Sequence, residues 1–225
     1  KRCLVIDKRP HLGGNIYCEN IDGITVPIGY AAEKGRIQVV QKYRALKANS
    51  KVANALIENG ECYETSLEDS SILFGNTEAK MRVTILSNPH CNPCARMHKH
   101  VENLLRLSGG EICIQYIFSS FSEKLEDSCR YLIYCYFEYE RNESLHRFAL
   151  WYSKDKFDYE RIINNNDSRI HTKIIEEEMD RHRKWRTRAS LIETPTILVN
   201  GYKLPDEYDI EDLAMIGNNT INEDI

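Results

Sequence analysis

The sequence predicts an α/β fold built on a strand-helix-strand unit, with a long helical insertion ahead of its last strands. Three observations predict it. A β-branched run at residues 81–86 gives way to a helix-like run at 95–107 across Asn88-Pro89-His90-Cys91-Asn92-Pro93-Cys94. After Gly109-Gly110 comes a second apolar run, residues 111–118. Thr194-Pro195 then enters a third β-branched run that ends in Asn200-Gly201, a hairpin dipeptide.

The chain has 225 residues, 42% hydrophobic and 28% charged, enough for one or two domains with a core. No apolar run approaches the roughly 18 to 20 residues that cross a bilayer, and no signal-peptide pattern opens the chain. It begins at Lys1 rather than Met, as expected of a processed product or a piece of a longer polypeptide. A net charge of −4 gives no bias toward nucleic acid, which is not expected as a partner. Eight cysteines, at 3, 18, 62, 91, 94, 113, 129 and 135, are too few for a disulfide-held scaffold at this length. Only Cys91 and Cys94 have a spacing with chemical meaning. Cys113 reads as a small buried hydrophobe. Cys129 and Cys135, six apart on a helix, are too far separated to bridge.

Residues 3–6 read as a short strand, followed by Asp7-Lys8-Arg9-Pro10-His11-Leu12-Gly13-Gly14-Asn15. An acidic residue ending a strand before a Gly-Gly turn is the second half of a dinucleotide-binding unit. Through Asn20-Ile21-Asp22-Gly23-Ile24-Thr25-Val26 this segment resembles the flavin-binding segment of UDP-galactopyranose mutases. That family carries a G-x-G-x-x-G turn before the strand and a His-containing segment after it. Here the chain starts after the first, and Pro27-Ile28-Gly29-Tyr30 replaces the second, so residues 1–30 are treated as an orphan fragment. Residues 31–71 read as a helical connector. Ile37, Val40, Tyr43 and Leu46 recur at threes, then Val52 and Leu56 at four, as one broken or two consecutive helices; a loop holding Cys62 follows.

The main domain is expected over 72–217. A strand near 72–76 precedes the 81–86 strand, and residues 92–107 form a helix that presents Met97, Val101, Leu104 and Leu105 to a sheet. The default is a right-handed crossover to the 111–118 strand. Residues 122–190 form the helical insertion. Its aromatic cluster, with Tyr131, Tyr134, Tyr136, Phe137, Phe148, Trp151 and Tyr152, reads as core, and Asn164-Asn165-Asn166-Asp167-Ser168 reads as a break. The last inserted helix, 171–190, carries Ile174, Ile175, Met179 and Trp185. Its Arg181-His182-Arg183-Lys184-Trp185-Arg186 run, preceded by Glu176, Glu177, Glu178 and Asp180, reads as a solvated face. Residues 202–208 would complete the hairpin, 210–216 the closing helix, and 218–225 a tail.

Strand, Cys-Asn-Pro-Cys, helix, strand, helical insertion, Thr-Pro, hairpin and helix, in that order, resemble thioredoxin-fold disulfide oxidoreductase domains. The detail of Asn88-Pro89-His90-Cys91-Asn92-Pro93-Cys94 and Asn200-Gly201-Tyr202-Lys203-Leu204-Pro205 is most similar to the domains fused behind bacterial vitamin K epoxide reductase-like membrane domains. That resemblance implies protein thiol or disulfide substrates, a membrane quinone-linked redox partner and a place in the bacterial cell envelope. It implies no cofactor beyond a redox-active disulfide. It also implies a cis-proline loop, Thr194-Pro195, that faces the cysteines and binds an extended substrate strand.

The position of Cys91 at a helix start points to a thiolate favoured by unpaired N–H groups and the macrodipole, hence the attacking nucleophile. Cys94, one turn in, is the resolving thiol. Asn92 is neutral and Pro93 stiff, which points to a reduction potential in the intermediate to reducing range; His90 is placed to modulate it. Two alternatives stand beside this reading. One is a zinc-binding module using Cys91, Cys94, His98 and His90; the other is a fragment of a flavin-dependent UDP-galactopyranose mutase.

Overall fold

In the computed structural model the described residues are 4–5, 16–21 and 24–220, with side chains described over 37–216. Two compact units divide at Lys47 and Ala48. In the first, β1 (Leu4–Val5), β2 (Ile16–Ile21) and β3 (Ile24–Pro27) form an antiparallel sheet that leads into α1 (Ile28–Lys47). The Asp7 to Asn15 turn, on which the dinucleotide-like reading rests, lies outside the described residues.

The expected two-helix alternative for residues 31–57 is the one observed. Asn49 ends the first helix and caps the second, α2 (Ser50–Glu58), with its side-chain oxygen accepting from the Lys51 and Val52 N–H groups at 3.1 and 3.2 Å. Helix α2 belongs to the second unit, where it buries Ala53 and Ile57.

That unit is organised on a five-stranded sheet of order β4-β6-β5-β7-β8. Its strands are β4 (Leu73–Gly75), β5 (Met81–Ser87), β6 (Ile112–Phe118), β7 (Thr196–Val199) and β8 (Tyr202–Lys203). β5 and β6 run parallel in register from Met81↔Ile112 to Ser87↔Phe118, joined by α3 (Asn92–Leu107). Both strands are buried along nearly their whole length, as a parallel pair covered on both faces must be, which is why they read as continuous apolar runs. Val83, Ile85, Ile114, Tyr116 and Phe118 face the main core, with Val101 and Leu104 of α3. Leu86, Ile117 and Leu198 face a smaller cluster closed by Trp185 and Leu191. Asn200 and Gly201, at φ 49° and 92°, make the two-residue turn between β7 and β8.

The insertion comprises α4 (Glu126–Glu138), α5 (Arg141–Ser153), α6 (Tyr159–Ile170) and α7 (Lys173–Ala189), and α8 (Leu213–Thr220) closes the chain's described part. Its aromatic cluster is core except for Phe137, which is exposed: Trp151 and Phe148 are wholly buried, with Phe148 edge-on to Phe74 and Tyr116.

Two expectations need correction. Asn164 to Ser168 does not break the helix but forms the wet side of α6. Ile163 and Ile170 anchor that helix on the core, and Asn166 Nδ2 donates to the Ile162 carbonyl at 2.8 Å. The interruption comes earlier, at Lys154, whose φ is −142°. The hairpin's second strand ends at Lys203: the Leu204 N–H still donates to the Ile197 carbonyl opposite it, and Pro205 then has no N–H to continue the ladder. Ile174 is half-exposed, since the inward stripe of α7 runs through Ile175, Glu178, Met179, His182 and Trp185.

That stripe also changes the reading of α7 as a solvated helix. Its outer face is solvated, with Arg183 paired to Asp180 at 2.6 Å, but its inner face buries a charge. Glu178, fully buried, accepts from Ser71 N–H at 2.7 Å and from Ser70 Oγ at 2.9 Å, and lies 3.2 Å from His182 Nε2. His182 Nδ1 accepts the Phe118 N–H at 3.2 Å, which leaves Nε2 to carry the ring proton toward Glu178 and Ser70. The end of β6 is thereby tied to the insertion and to the 61–71 loop.

Burial pushes the Glu178 carboxyl up, but hydrogen bonds from His182, Ser71 and Ser70 outweigh it and hold the group at about 2. Because the folded value lies below the unfolded one, the stabilisation is complete above about pH 4.5 and is lost as pH falls toward 2. Glu178→Gln is therefore expected to cost roughly 3 kcal/mol at pH 7. In urea unfolding across pH, the gap between variant and wild type narrows below pH 4.5 and closes near pH 2. Gly201→Ala should cost about 1–3 kcal/mol in the same assay, since its φ is 92° and an added Cβ would sit 2.6 Å from the Tyr63 carbonyl oxygen.

Candidate active site

The site is assembled where β5 ends. Asn88 turns the chain: its side-chain oxygen accepts from the His90 N–H at 2.9 Å and its carbonyl from the Cys91 N–H at 3.1 Å. Cys91 is then the N-cap of α3, and its Sγ accepts from the Cys94 N–H at 3.3 Å. Pro93 falls in the first helical turn, where a missing N–H costs nothing. Cys91 retains 5% exposure and Cys94 none, and neither is bridged.

The sheet register brings the second half of the site to the first. β5 and β7 pair antiparallel, with Leu86 opposite Thr196, so the residues just before β7 meet those just after β5. The Thr194–Pro195 bond is cis, and the Cys91 thiol donates to the Thr194 carbonyl at 3.3 Å. Thr196 Oγ1 donates to the Glu193 carbonyl at 2.7 Å and holds this loop. Beside Pro195 opens a groove of about 350 Å³ lined by Arg96, Met97, His100, Tyr208 and Glu211.

The two thiols differ in their surroundings. Burial, together with the hydrogen bond to Cys91, pushes the Cys94 thiol up to about 12, with the Asn88 N–H and the Ser87 hydroxyl opposing only in part. Cys94 is therefore protonated at neutral pH. Ser87 Oγ is itself fixed to Tyr152 OH at 2.6 Å, so the pocket behind Cys94 is lined by two buried hydroxyls.

The insertion packs directly on the Cys-x-x-Cys turn. Trp151 Nε1 donates to the Pro89 carbonyl at 3.0 Å, and its ring meets that of His90 edge-on. His90 Nε2 lies 2.7 Å from Ser128 Oγ on α4. Burial first, and the Lys156 ammonium second, lower the His90 ring below its ordinary value, so it is uncharged at neutral pH. Lys156 Nζ donates to Asn92 Oδ1 at 2.8 Å. Sequence reasoning missed Ser87, Ser128, Tyr152 and Lys156. Ser87 stands directly before Asn88 at the end of β5, and the other three reach the site from the insertion, Lys156 across 64 residues, with no local motif.

His98 is buried one helical turn beyond Cys94, with Nδ1 2.6 Å from Tyr116 OH, and burial lowers its ring to about 3. Among the described residues no three His, Cys, Asp or Glu side chains converge to hold a metal ion. His90 and His98, the expected zinc ligands beside the cysteines, face Ser128 and Tyr116 instead.

Comparison with solved structures places the chain beside the catalytic domain of Proteus mirabilis ScsC, at a TM-score of 0.54 and 16% identity over 76% of this chain and 97% of that one. Chlamydia trachomatis DsbA aligns at a TM-score of 0.53 and 13% identity, covering 68% and 92%. MdbA, a thiol-disulfide oxidoreductase from Corynebacterium diphtheriae, aligns at 0.51 and 12%, covering 71% and 96%. At these identities the likeness is one of fold: a thioredoxin-like sheet carrying a helical insertion. No curated protein matches the sequence. The thioredoxin family model matches residues 67–217, a span that holds the cysteines, the insertion and the Thr194-Pro195 loop, and the chain belongs to the thioredoxin family.

Proposed function

We propose that this protein is a thiol-disulfide oxidoreductase acting on protein thiols through a Cys91–Cys94 dithiol. One observation carries the reading: of two thiols one turn apart, Cys91 sits at the helix N-cap with 5% exposure and its thiol on the carbonyl of Thr194, next to the groove-lining Pro195, while Cys94 is wholly buried and held protonated.

In the reducing direction, the Cys91 thiolate attacks one sulfur of a substrate disulfide. A Cys91–substrate bond forms, and the other substrate sulfur leaves as a thiolate that takes a proton. Cys94 then gives up its proton and attacks Cys91 Sγ. The Cys91–Cys94 bond forms, and the second substrate sulfur leaves and is protonated. Two electrons and two protons pass from the dithiol to the substrate; oxidation of a substrate dithiol runs the same steps backward. Thr194 and Pro195 dock the substrate strand next to Cys91, a role supported by the 3.3 Å approach of the Thr194 carbonyl. No cofactor other than the disulfide enters these steps.

The resemblance of the motifs at residues 88–94 and 200–205 to domains fused behind vitamin K epoxide reductase-like membrane domains is the ground for proposing a partner of that kind in the bacterial cell envelope. No helix among the described residues is long and apolar enough to cross a membrane.

Cys91→Ser should reduce insulin-disulfide reduction and dithiol oxidation to the uncatalysed rate. Cys94→Ser should still complete the first attack and accumulate a mixed disulfide, seen as a mass increase reversed by dithiothreitol. Retention of activity in Cys91→Ser would refute the reading.

A further inference from the structure

Lys156 lies in the short turn between α5 and α6, with 7% of its surface exposed. A buried ammonium is costly unless an anion or a set of acceptors compensates it. Its Nζ donates to the neutral Asn92 Oδ1 at 2.8 Å and lies 5.1 Å from the Phe157 ring centre. Among the described residues no carboxylate pairs with it, although Arg130, Arg147, Arg181 and Arg183 of the same insertion all have one. The chain thus holds a cation with no carboxylate partner among the described residues on the side chain of Asn92, the residue that follows Cys91. Its field also reaches the residue before Cys91, since Lys156 acts on the His90 ring. The anion missing from this arrangement is one the site's own chemistry produces, the thiolate of Cys91.

We propose that Lys156 is the counter-charge of the Cys91 thiolate, a positioning residue that Asn92 holds in place and that stabilises the dithiol form over the disulfide. This inference rests on the oxidoreductase reading and adds to it the residue that sets the potential. The disulfide carries no charge for the ammonium to meet, whereas the reduced form does. An interaction confined to the reduced form makes the couple more oxidising. The expectation of an intermediate to reducing potential considered only the neutral Asn92-Pro93 dipeptide. The cation absent from that dipeptide arrives from the insertion, and Asn92 serves as its anchor.

The test is redox equilibration against glutathione. Two glutathione thiols give two electrons to the Cys91–Cys94 disulfide and leave joined as glutathione disulfide. One of their protons passes to Cys94, and the other to Cys91 or, where Cys91 stays ionised, to solvent. Lys156→Met should lower the equilibrium constant for this reduction about tenfold, equal to about 30 mV toward a more reducing couple. Lys156→Arg, which keeps the charge, should stay within about twofold of wild type. Should the buried Met variant fail to fold, Asn92→Asp at the exposed partner neutralises the ammonium in place and should shift the constant in the same direction. An unchanged constant in Lys156→Met or Asn92→Asp, or an equal shift in Lys156→Arg, would overturn the proposal while leaving the oxidoreductase reading intact. A wild-type protein that forms no exchangeable Cys91–Cys94 disulfide would overturn both.

Discussion

Four residue pairs between β5 and β7, from Val83↔Val199 to Leu86↔Thr196, hold the site together. The Cys-x-x-Cys turn grows from the end of β5 and the Thr194-Pro195 loop from the start of β7. A shift of one residue in this register would turn every side chain of β7 to the opposite face and carry Thr194 away from Cys91. Burial on both faces enforces the register. Leu86 and Leu198 pack under Trp185, while Val83, Ile85 and Val199 face the main core, so a slipped strand would lose apolar contacts on both sides at once.

The helical insertion serves the same end from the other direction. Trp151, Ser128 and Lys156, from three consecutive parts of the insertion, contact Pro89, His90 and Asn92. The turn that presents Cys91 is therefore clamped rather than left as a free surface loop, and its geometry depends on the packing of some sixty residues far from it in sequence. The buried Glu178 and His182 fasten that insertion to the end of β6 and to Ser70 and Ser71. Such a charge is kept because Ser70, Ser71 and His182 converge on one carboxylate oxygen and the Arg181 guanidinium lies 3.2 Å from the other. Removing one member would leave the others buried and unmatched.

Much of this was legible in the sequence because it is local. The β-branched run before Cys91, the apolar spacing after it and the Asn200-Gly201 dipeptide each carry their own physical cause, and the α3 bounds fall where the pattern puts them. The Asn164 to Ser168 run misled for a complementary reason: residues that favour turns in isolation are tolerated on the wet face of a helix whose other face is anchored by Ile163 and Ile170. Tertiary electrostatics left no local trace. Glu178 and Lys156 look like ordinary surface charges in the chain, and only the fold reveals that both are buried.

The account turns on the inequality of two thiols three residues apart, one presented at a helix start and the other sealed beneath it. Peptide mass spectrometry of the reduced protein after a brief iodoacetamide pulse at pH 7 measures that inequality directly. The account predicts carbamidomethyl label on Cys91 and none on Cys94. Label on Cys94 ahead of Cys91 would contradict it.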